Sequence, residues 1–344
     1  MKERVYLDWN ATAPLRPEAR AAMVAAMDIV GNPSSVHAEG RAAKALVERA
    51  RAEVAEAVGC KPAEVVFTSG ATEAAGVLGR FGHVEVEPTS HDALWAHRRA
   101  GEGLPDVYAM GLANSETGVI LPVPERDALE ARRLLLDVTQ VVGRVPFSFA
   151  WSGAEFAVLS AHKLGGPKGV GALIVRDGVE VPPLALGGGQ EMGRRSGTEN
   201  VAGLAGFGAA IRAAMRDLAD GRWAQVEKLR NILEATLAST AGETIFVGQD
   251  RERLPNTSCI AVRGWKGETQ VMQMDLRGFA VSAGSACSSG KVRESRVLGA
   301  MGHDEGVSRS AIRVSLGPLT TEDEIARFAA AWCEARARHG ARAA

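Results

Sequence analysis

Along the first sixty positions apolar residues recur every three or four places, the period of an amphipathic helix. This predicts Ala-rich helices over 18–27 and 39–58, the second with Glu and Arg at helical spacings. The period then changes. Val65–Thr68 is a short apolar run leading into Ser69-Gly70-Ala71-Thr72-Glu73, which reads as a strand turning into a helix. Further strands are expected at 134–138, 157–161 and Gly171–Val175, with a short helix near 124–133. Strands alternating with helices predict an α/β domain with a mostly parallel sheet. A Gly-rich stretch over 187–197 precedes a long helical region at 200–240. Beyond it, 256–262, 280–282 and 312–316 read as strands, and 268–277 and 321–339 as helices. The last helix opens on Glu322, Asp323 and Glu324 and closes on Arg336, Arg338 and His339, as the helix dipole favours. The change of texture puts a domain boundary near residue 215. It separates a large domain over 13–215 from a smaller α+β domain made of 1–12 and 216–344.

Composition narrows the functional classes. The chain has 344 residues, with Lys+Arg 40 against Asp+Glu 41 and a formal charge of −1. That is no basic excess, so neither direct nucleic-acid binding nor attachment to an anionic membrane is expected. No apolar stretch approaches the ~18 residues of a membrane span, and the start, MKERVYLDWN, has no apolar signal core. The expected location is the cytoplasm. Cys60, Cys259, Cys287 and Cys333 show no C-x-x-C pair and no zinc spacing, which predicts free thiols and no metal site. Lysine is scarce: Lys2, Lys44, Lys61, Lys163, Lys168, Lys228, Lys266 and Lys291 are all there are.

Four features bear chemistry. The turn after Val65–Thr68 opens a helix at Ala71 and Thr72, where unpaired backbone N–H groups suit an anion such as phosphate; an ordinary strand–helix turn is an equal alternative. Lys163, in Ser160-Ala-His162-Lys163-Leu-Gly-Gly-Pro-Lys168, ends a strand beside a histidine and before a Gly/Pro loop, where α/β sheets bind ligands. Desolvated there, its amine can form a Schiff base, although loop lysines are usually surface residues. Asp137 ends an apolar strand with Gln140 behind it; a carboxylate so placed needs a cation, such as a protonated pyridine nitrogen, unless it caps the next helix. Cys287 lies among small residues in Ser282-Ala-Gly-Ser-Ala-Cys-Ser-Ser-Gly-Lys291, a setting for an accessible nucleophilic thiol. Cys60, Cys259 and Cys333 read as structural. The nearest approach to a Walker loop, residues 284–291, has the wrong spacing, so ATP binding is not expected.

Taken together and in order, these features resemble the NifS-like cysteine desulfurases of the class V aminotransferase group, which depend on pyridoxal 5′-phosphate (PLP). The resemblance covers nearly the whole chain. It runs through Tyr6-Leu-Asp-Trp-Asn10-Ala-Thr-Ala-Pro14, Gly31-Asn-Pro-Ser-Ser35, Thr68-Ser-Gly-Ala-Thr-Glu73, Ser90-His91 and Asn114-Ser115-Glu116-Thr-Gly118. It continues with Asp137-Val-Thr-Gln140, Ser160-Ala-His-Lys163, Arg195-Ser-Gly-Thr198, Gly284-Ser-Ala-Cys287 and Ile312-Arg-Val-Ser-Leu-Gly317. It implies a PLP-dependent transferase of fold type I. Lys163 then carries the cofactor and takes the substrate Cα proton, His91 stacks on the pyridine ring, Asp137 pairs with the ring nitrogen, and Gln140 bonds the ring hydroxyl. Ala71, Thr72, Ser160 and His162 hold the phosphate, with Thr198 supplied by the second subunit of a homodimer. Arg313 clamps the substrate carboxylate, and Asn10 joins it in binding substrate. The implied reaction takes L-cysteine to L-alanine and leaves sulfur as a persulfide on Cys287, in a loop over 282–292. An iron–sulfur scaffold or a tRNA-thiolation relay protein would accept it.

Two departures stand out. Where the family commonly has Asn-Asn-Glu, this chain has Asn114-Ser115-Glu116, which leaves the second Asn's contact with the ring hydroxyl to Ser115 or weakens it. Only 18 residues separate Thr72 from His91, and 22 separate His91 from Asn114. This predicts a PLP domain trimmed of one or two peripheral elements between 73 and 136. Competing readings are another class V lyase or aminotransferase, such as a selenocysteine lyase, and a degenerate, non-catalytic partner in sulfur trafficking.

Overall fold

A short strand, β1 (Val5–Tyr6), precedes two helices, α1 (Pro17–Met27) and α2 (Ala38–Val58), in the computed structural model, which describes residues 4–240, 243–284 and 294–343. Pro17 starts α1, where its missing N–H costs nothing. The His37 ring accepts from Gly40 N at the start of α2, and Gly59 ends that helix at φ 69°. A side chain at Gly59 would meet both that left-handed backbone and Ser148 Oγ at 2.6 Å, so glycine is required.

Six strands follow: β2 (Val65–Thr68), β3 (Val84–Val86), β4 (Val107–Gly111), β5 (Arg133–Asp137), β6 (Phe156–Ser160) and β7 (Gly171–Val175). They form one sheet in the order β2-β7-β6-β5-β4-β3. The four strands from β3 to β6 pair in parallel, and β7 runs antiparallel to both β6 and β2. The sheet is thus mostly parallel, and every residue of β2, β6 and β7 is buried, which is why these segments read as unbroken apolar runs. The connections carry only short helices: α3 (Ala71–Ala75), α4 (Asp92–Trp95) and α5 (Arg126–Leu129). On one side α1 and α2 pack against α6 (Val201–Ala219).

Two of these strands, β3 and β4, were not anticipated from the sequence. They have three and five residues, and β3 alternates buried with exposed positions. The expected helical region over 200–240 is two helices, α6 and α7 (Arg222–Thr240). They break at Gly221, whose φ of 70° no helix accommodates.

The chain divides into two units. One comprises 12–112 and 122–219 and contains the six-stranded sheet. The other comprises 1–11, 113–121 and 220–344. Its remaining elements are β8 (Ile245–Phe246), β9 (Thr257–Ala261), α8 (Gly267–Leu276), β10 (Phe279–Ala280), β11 (Ser282–Ala283), α9 (Arg296–Ala300), α10 (Glu305–Ser308), β12 (Ala311–Ser315) and α11 (Glu322–Ala343). Its strands β11-β12-β9-β8 form an antiparallel sheet, and β1 pairs with β10. Relative to the boundaries expected from sequence, the chain changes unit at 219/220 rather than near 215. The excursion 113–121 goes with the C-terminal unit.

Candidate active site

Because β3 to β6 are parallel, and β2 is related to β6 through two antiparallel pairings, the carboxyl ends of all five strands lie along one sheet edge. The register fixes their levels: Thr68 pairs with Gly171 and Gly171 with Ser160, while Asp137 pairs with Gly111 and Val158. The turn 69–71, the turn to His91, Asp137 and the segment 160–163 therefore converge where open α/β sheets bind ligands. Packing there is tight. A Cβ on Gly171 would lie 2.6 Å from Gly70 Cα and 2.6 Å from Leu159 O.

The loop bearing Lys163 is held by its own carbonyls. Ala13 N donates to His162 O at 2.8 Å, Arg144 Nη2 to Lys163 O at 3.0 Å, and Arg16 N to Gly165 O at 2.9 Å. Arg16 Nε reaches Leu164 O at 2.8 Å. The lysine thus projects from a backbone with little freedom to move. His162 shares a hydrogen bond between Nδ1 and Thr12 Oγ1 at 3.1 Å. Burial, with Lys163 and Lys168 nearby, pushes its imidazole down to about 4, so the ring is neutral at pH 7.

Asp137 accepts from Thr139 N at 2.9 Å through Oδ1, and its other oxygen takes no hydrogen bond among the described residues. A half-buried carboxylate at a strand end with one open oxygen fits a cationic ring nitrogen as partner. Arg144, which the sequence reading did not single out, is buried and donates from Nη1 to Gln140 Oε1 at 2.6 Å. Since an arginine only donates, this orients Gln140 with its amide nitrogen as the remaining donor.

His91 is exposed at the start of α4 and accepts from Ala93 N at 3.1 Å through Nδ1, which leaves the ring proton on Nε2. Its turn is tied to the sheet through buried Ser90, whose Oγ accepts from Gly111 N at 2.9 Å. The turn after β2 is braced by Glu73, which accepts from Ser69 N at 2.6 Å and from Arg195 Nε at 2.8 Å. Burial pushes the Glu73 carboxyl up, but the Arg195 and Ser69 contacts outweigh it and hold it below the usual range. The same ion pair fastens the segment that carries Thr198. Thr198 is exposed and lines a cavity of about 110 Å³ with Thr68 and Ser69 of its own chain.

Asn10, Asn114, Ser115 and Arg313 belong to the other unit. Arg313, on β12, is 6% exposed. It donates from Nη2 to Asp8 Oδ1 at 2.7 Å and from Nη1 to Ser115 O at 3.1 Å. Its buried Nε has no partner among the described residues. An unmet buried donor on a cation costs about 1–3 kcal/mol, which an acceptor oxygen brought against it would remove. Asn10 is wholly buried: its Nδ2 donates to Ser115 O at 3.1 Å and Thr257 Oγ1 at 2.8 Å, and its Oδ1 accepts from Asn256 at 3.0 Å. Its amide thus fixes Ser115 and β9. Asn114 Oδ1 accepts from the backbone of Glu116 and Thr117, both at 2.9 Å, and so shapes the turn around Ser115.

Cys287 lies outside the described residues. Among the cysteines described, burial pushes the Cys60 thiol up to about 12 and raises that of fully buried Cys259 further. Neither supplies a thiolate at neutral pH.

This fold and edge arrangement are those of fold type I PLP enzymes, and the comparisons with known proteins agree. The class V aminotransferase model matches residues 5–80 and 103–328, and the chain belongs to that family. The match is interrupted over 81–102, within the region of short connections. The chain is 37% identical to a cysteine desulfurase of Cereibacter sphaeroides, over 95% of this chain and 94% of that one. It is 40% identical to a cysteine desulfurase of Frankia sp. (strain EuIK1), over 93% and 88%. The crystal structure of a NifS-like protein from Rickettsia africae superposes with a TM-score of 0.89 at 29% identity, covering 96% of this chain and 99% of that one.

Proposed function

We propose that the protein is a cysteine desulfurase that converts L-cysteine to L-alanine and keeps the sulfur as a persulfide on Cys287. One observation carries the reading: Lys163, Asp137 and the turn at Ala71 meet at one sheet edge, in a chain 37% identical to a cysteine desulfurase over nearly its whole length. In this reading PLP is held by Lys163, with Asp137 at its ring nitrogen, His91 against the ring and Gln140 at the ring hydroxyl, where Ser115 or Asn114 also serves. Ala71, Thr72, Ser160 and neutral His162 hold its phosphate, with Thr198 supplied by the second subunit of a homodimer. Bound there, the cofactor supplies an electron sink for charge developing at the substrate Cα.

The chain's own groups do the rest. Arg313 binds the substrate carboxylate with its unmet Nε donor, a planar geometry that lysine does not reproduce. Asn10 acts behind it by fixing Ser115. The Lys163 amine takes the proton from Cα, and His91 holds one on Nε2 for return to the substrate. The Cys287 thiolate then attacks the substrate sulfur. Cysteine and thiol together become alanine and persulfide, with no other reactant consumed. A sulfur-acceptor protein, an iron–sulfur scaffold or a tRNA-thiolation relay in the cytoplasm, completes the cycle.

The test uses PLP-loaded protein, L-cysteine and a thiol reductant, with alanine and sulfide measured for the wild type and Cys287→Ala. Alanine from the wild type, and little from the variant, supports the reading. Undiminished turnover by the variant points instead to a lyase that needs no thiol. No alanine from either identifies a non-catalytic member of the family.

A further inference from the structure

Two serine hydroxyls stand on either side of the segment 285–293, which contains Cys287. Before it, Ser282 Oγ donates to Asp8 Oδ2 at 2.8 Å. After it, Ser295 Oγ donates to Glu116 Oε2 at 2.6 Å and accepts from Leu298 N at 3.2 Å, capping α9. Gly284 lies beside the same carboxylate, since a Cβ there would be 3.0 Å from Glu116 Oε2.

Both carboxylates lead to Arg313. Asp8 divides its two oxygens between Ser282 and Arg313 Nη2. Ser115, next to Glu116, presents its carbonyl to Arg313 Nη1. Arg313 also sits directly opposite Ser282 in the β11–β12 register. The run Ser282–Asp8–Arg313–Ser115–Glu116–Ser295 therefore ties both flanks of the cysteine segment to one buried guanidinium.

We propose that Asp8 and Glu116 are positioning residues for sulfur transfer: they set where the two flanks of the Cys287 segment stand relative to the guanidinium that takes the substrate carboxylate. This rests on the desulfurase reading above, and neither residue touches reacting atoms. The substrate sulfur lies a fixed few bonds from its carboxylate, so flanks tied to the carboxylate clamp stand at set places relative to that sulfur. In the step itself the Cys287–sulfur bond forms as the substrate C–S bond breaks. The electron pair of that bond remains with carbon and takes up a proton, giving alanine.

The experiment compares PLP-loaded wild type with Ser295→Asp, Ser295→Thr and Ser282→Ala. Persulfide on Cys287 is followed in a single turnover by alkylation, alongside KM for L-cysteine and the thermal midpoint. Aspartate keeps the cap on α9 but sets a second carboxylate against Glu116. Misplacement by about 1 Å costs up to ~100-fold, so Ser295→Asp and Ser282→Ala are expected to slow persulfide formation at least about tenfold with KM little changed. Ser295→Thr, which keeps the hydroxyl, should stay near the wild-type rate. Wild-type persulfide formation in Ser295→Asp would show that only the cap matters and overturn the proposal. So would a loss that appears wholly in KM. A wild type that makes no alanine overturns the desulfurase reading itself, and this proposal with it.

Discussion

Replacing Arg313 by lysine separates charge from geometry at the proposed substrate clamp. The guanidinium makes two bonds, to Asp8 at 2.7 Å and to the Ser115 carbonyl at 3.1 Å, and keeps Nε in reserve. Lysine retains a positive charge for Asp8, so the partly buried carboxylate stays paired and the fold persists. It gives up the Ser115 contact and the directed Nε donor. A hydrogen bond between charged groups contributes about 1.5–3 kcal/mol, which predicts a loss of roughly 10- to 100-fold in kcat/KM for L-cysteine. The carboxylate does not change during the reaction, so the loss should fall mainly on KM. The assay is steady-state alanine formation against cysteine concentration. An Arg313→Lys enzyme with wild-type KM would refute the assignment. Arg313→Met is a different perturbation: it leaves Asp8, with its side chain 16% exposed, unpaired, and is expected to destabilise the protein by about 3–5 kcal/mol.

Three further outcomes are expected. His162 titrates at about 4 in the fold, whereas an unfolded imidazole takes its proton near pH ~6.5. The unfolded chain therefore binds more protons below about pH 6.5, and stability falls as pH drops from there towards ~4. His162→Gln should narrow the gap in stability between neutral and mildly acidic buffer by roughly 1–2 kcal/mol, a value reduced for the ring's partial exposure; an unchanged gap contradicts this. Arg51 forms a buried fork on Glu191 at 2.7 and 2.8 Å, and the Glu191 side chain is 1% exposed. Arg51→Met should cost about 3–5 kcal/mol in chemical denaturation, and wild-type stability would show the pair to be dispensable. Gly171→Ala puts a methyl 2.6 Å from Gly70 Cα. It should weaken PLP affinity in an absorbance titration by the ~1–3 kcal/mol typical of overpacking, and wild-type affinity would show that the turn gives way freely.

What the sequence could reveal was set by how local each signal is. Val65–Thr68 and Gly171–Val175 were legible because strands buried on both faces need apolar side chains throughout. Asp137 and Lys163 stood out as candidates because a charged residue at or just beyond the end of such a run needs a reason to be there. The strands Val84–Val86 and Val107–Gly111 were not, because short strands joined by one-turn helices leave no period to detect. The helix break at Gly221 was hidden within an Ala-rich stretch. Most opaque were the residues that hold others in place. Asp8 and Arg313 are 305 positions apart, and Glu116 and Ser295 are 179 apart. Arg144 looked like any other arginine until its bonds to Gln140 and the Lys163 carbonyl were in view. Asn10, expected at the substrate, has its amide committed to Ser115, Asn256 and Thr257.

The most direct test of the central claim follows the sulfur atom. PLP-loaded protein is given one equivalent of L-cysteine without reductant, alanine is quantified, and the digested protein is weighed by mass spectrometry. The account predicts alanine in step with one added sulfur on the peptide containing Cys287. Alanine formed with no sulfur on that peptide, or with the sulfur on Cys60, Cys259 or Cys333, would contradict it.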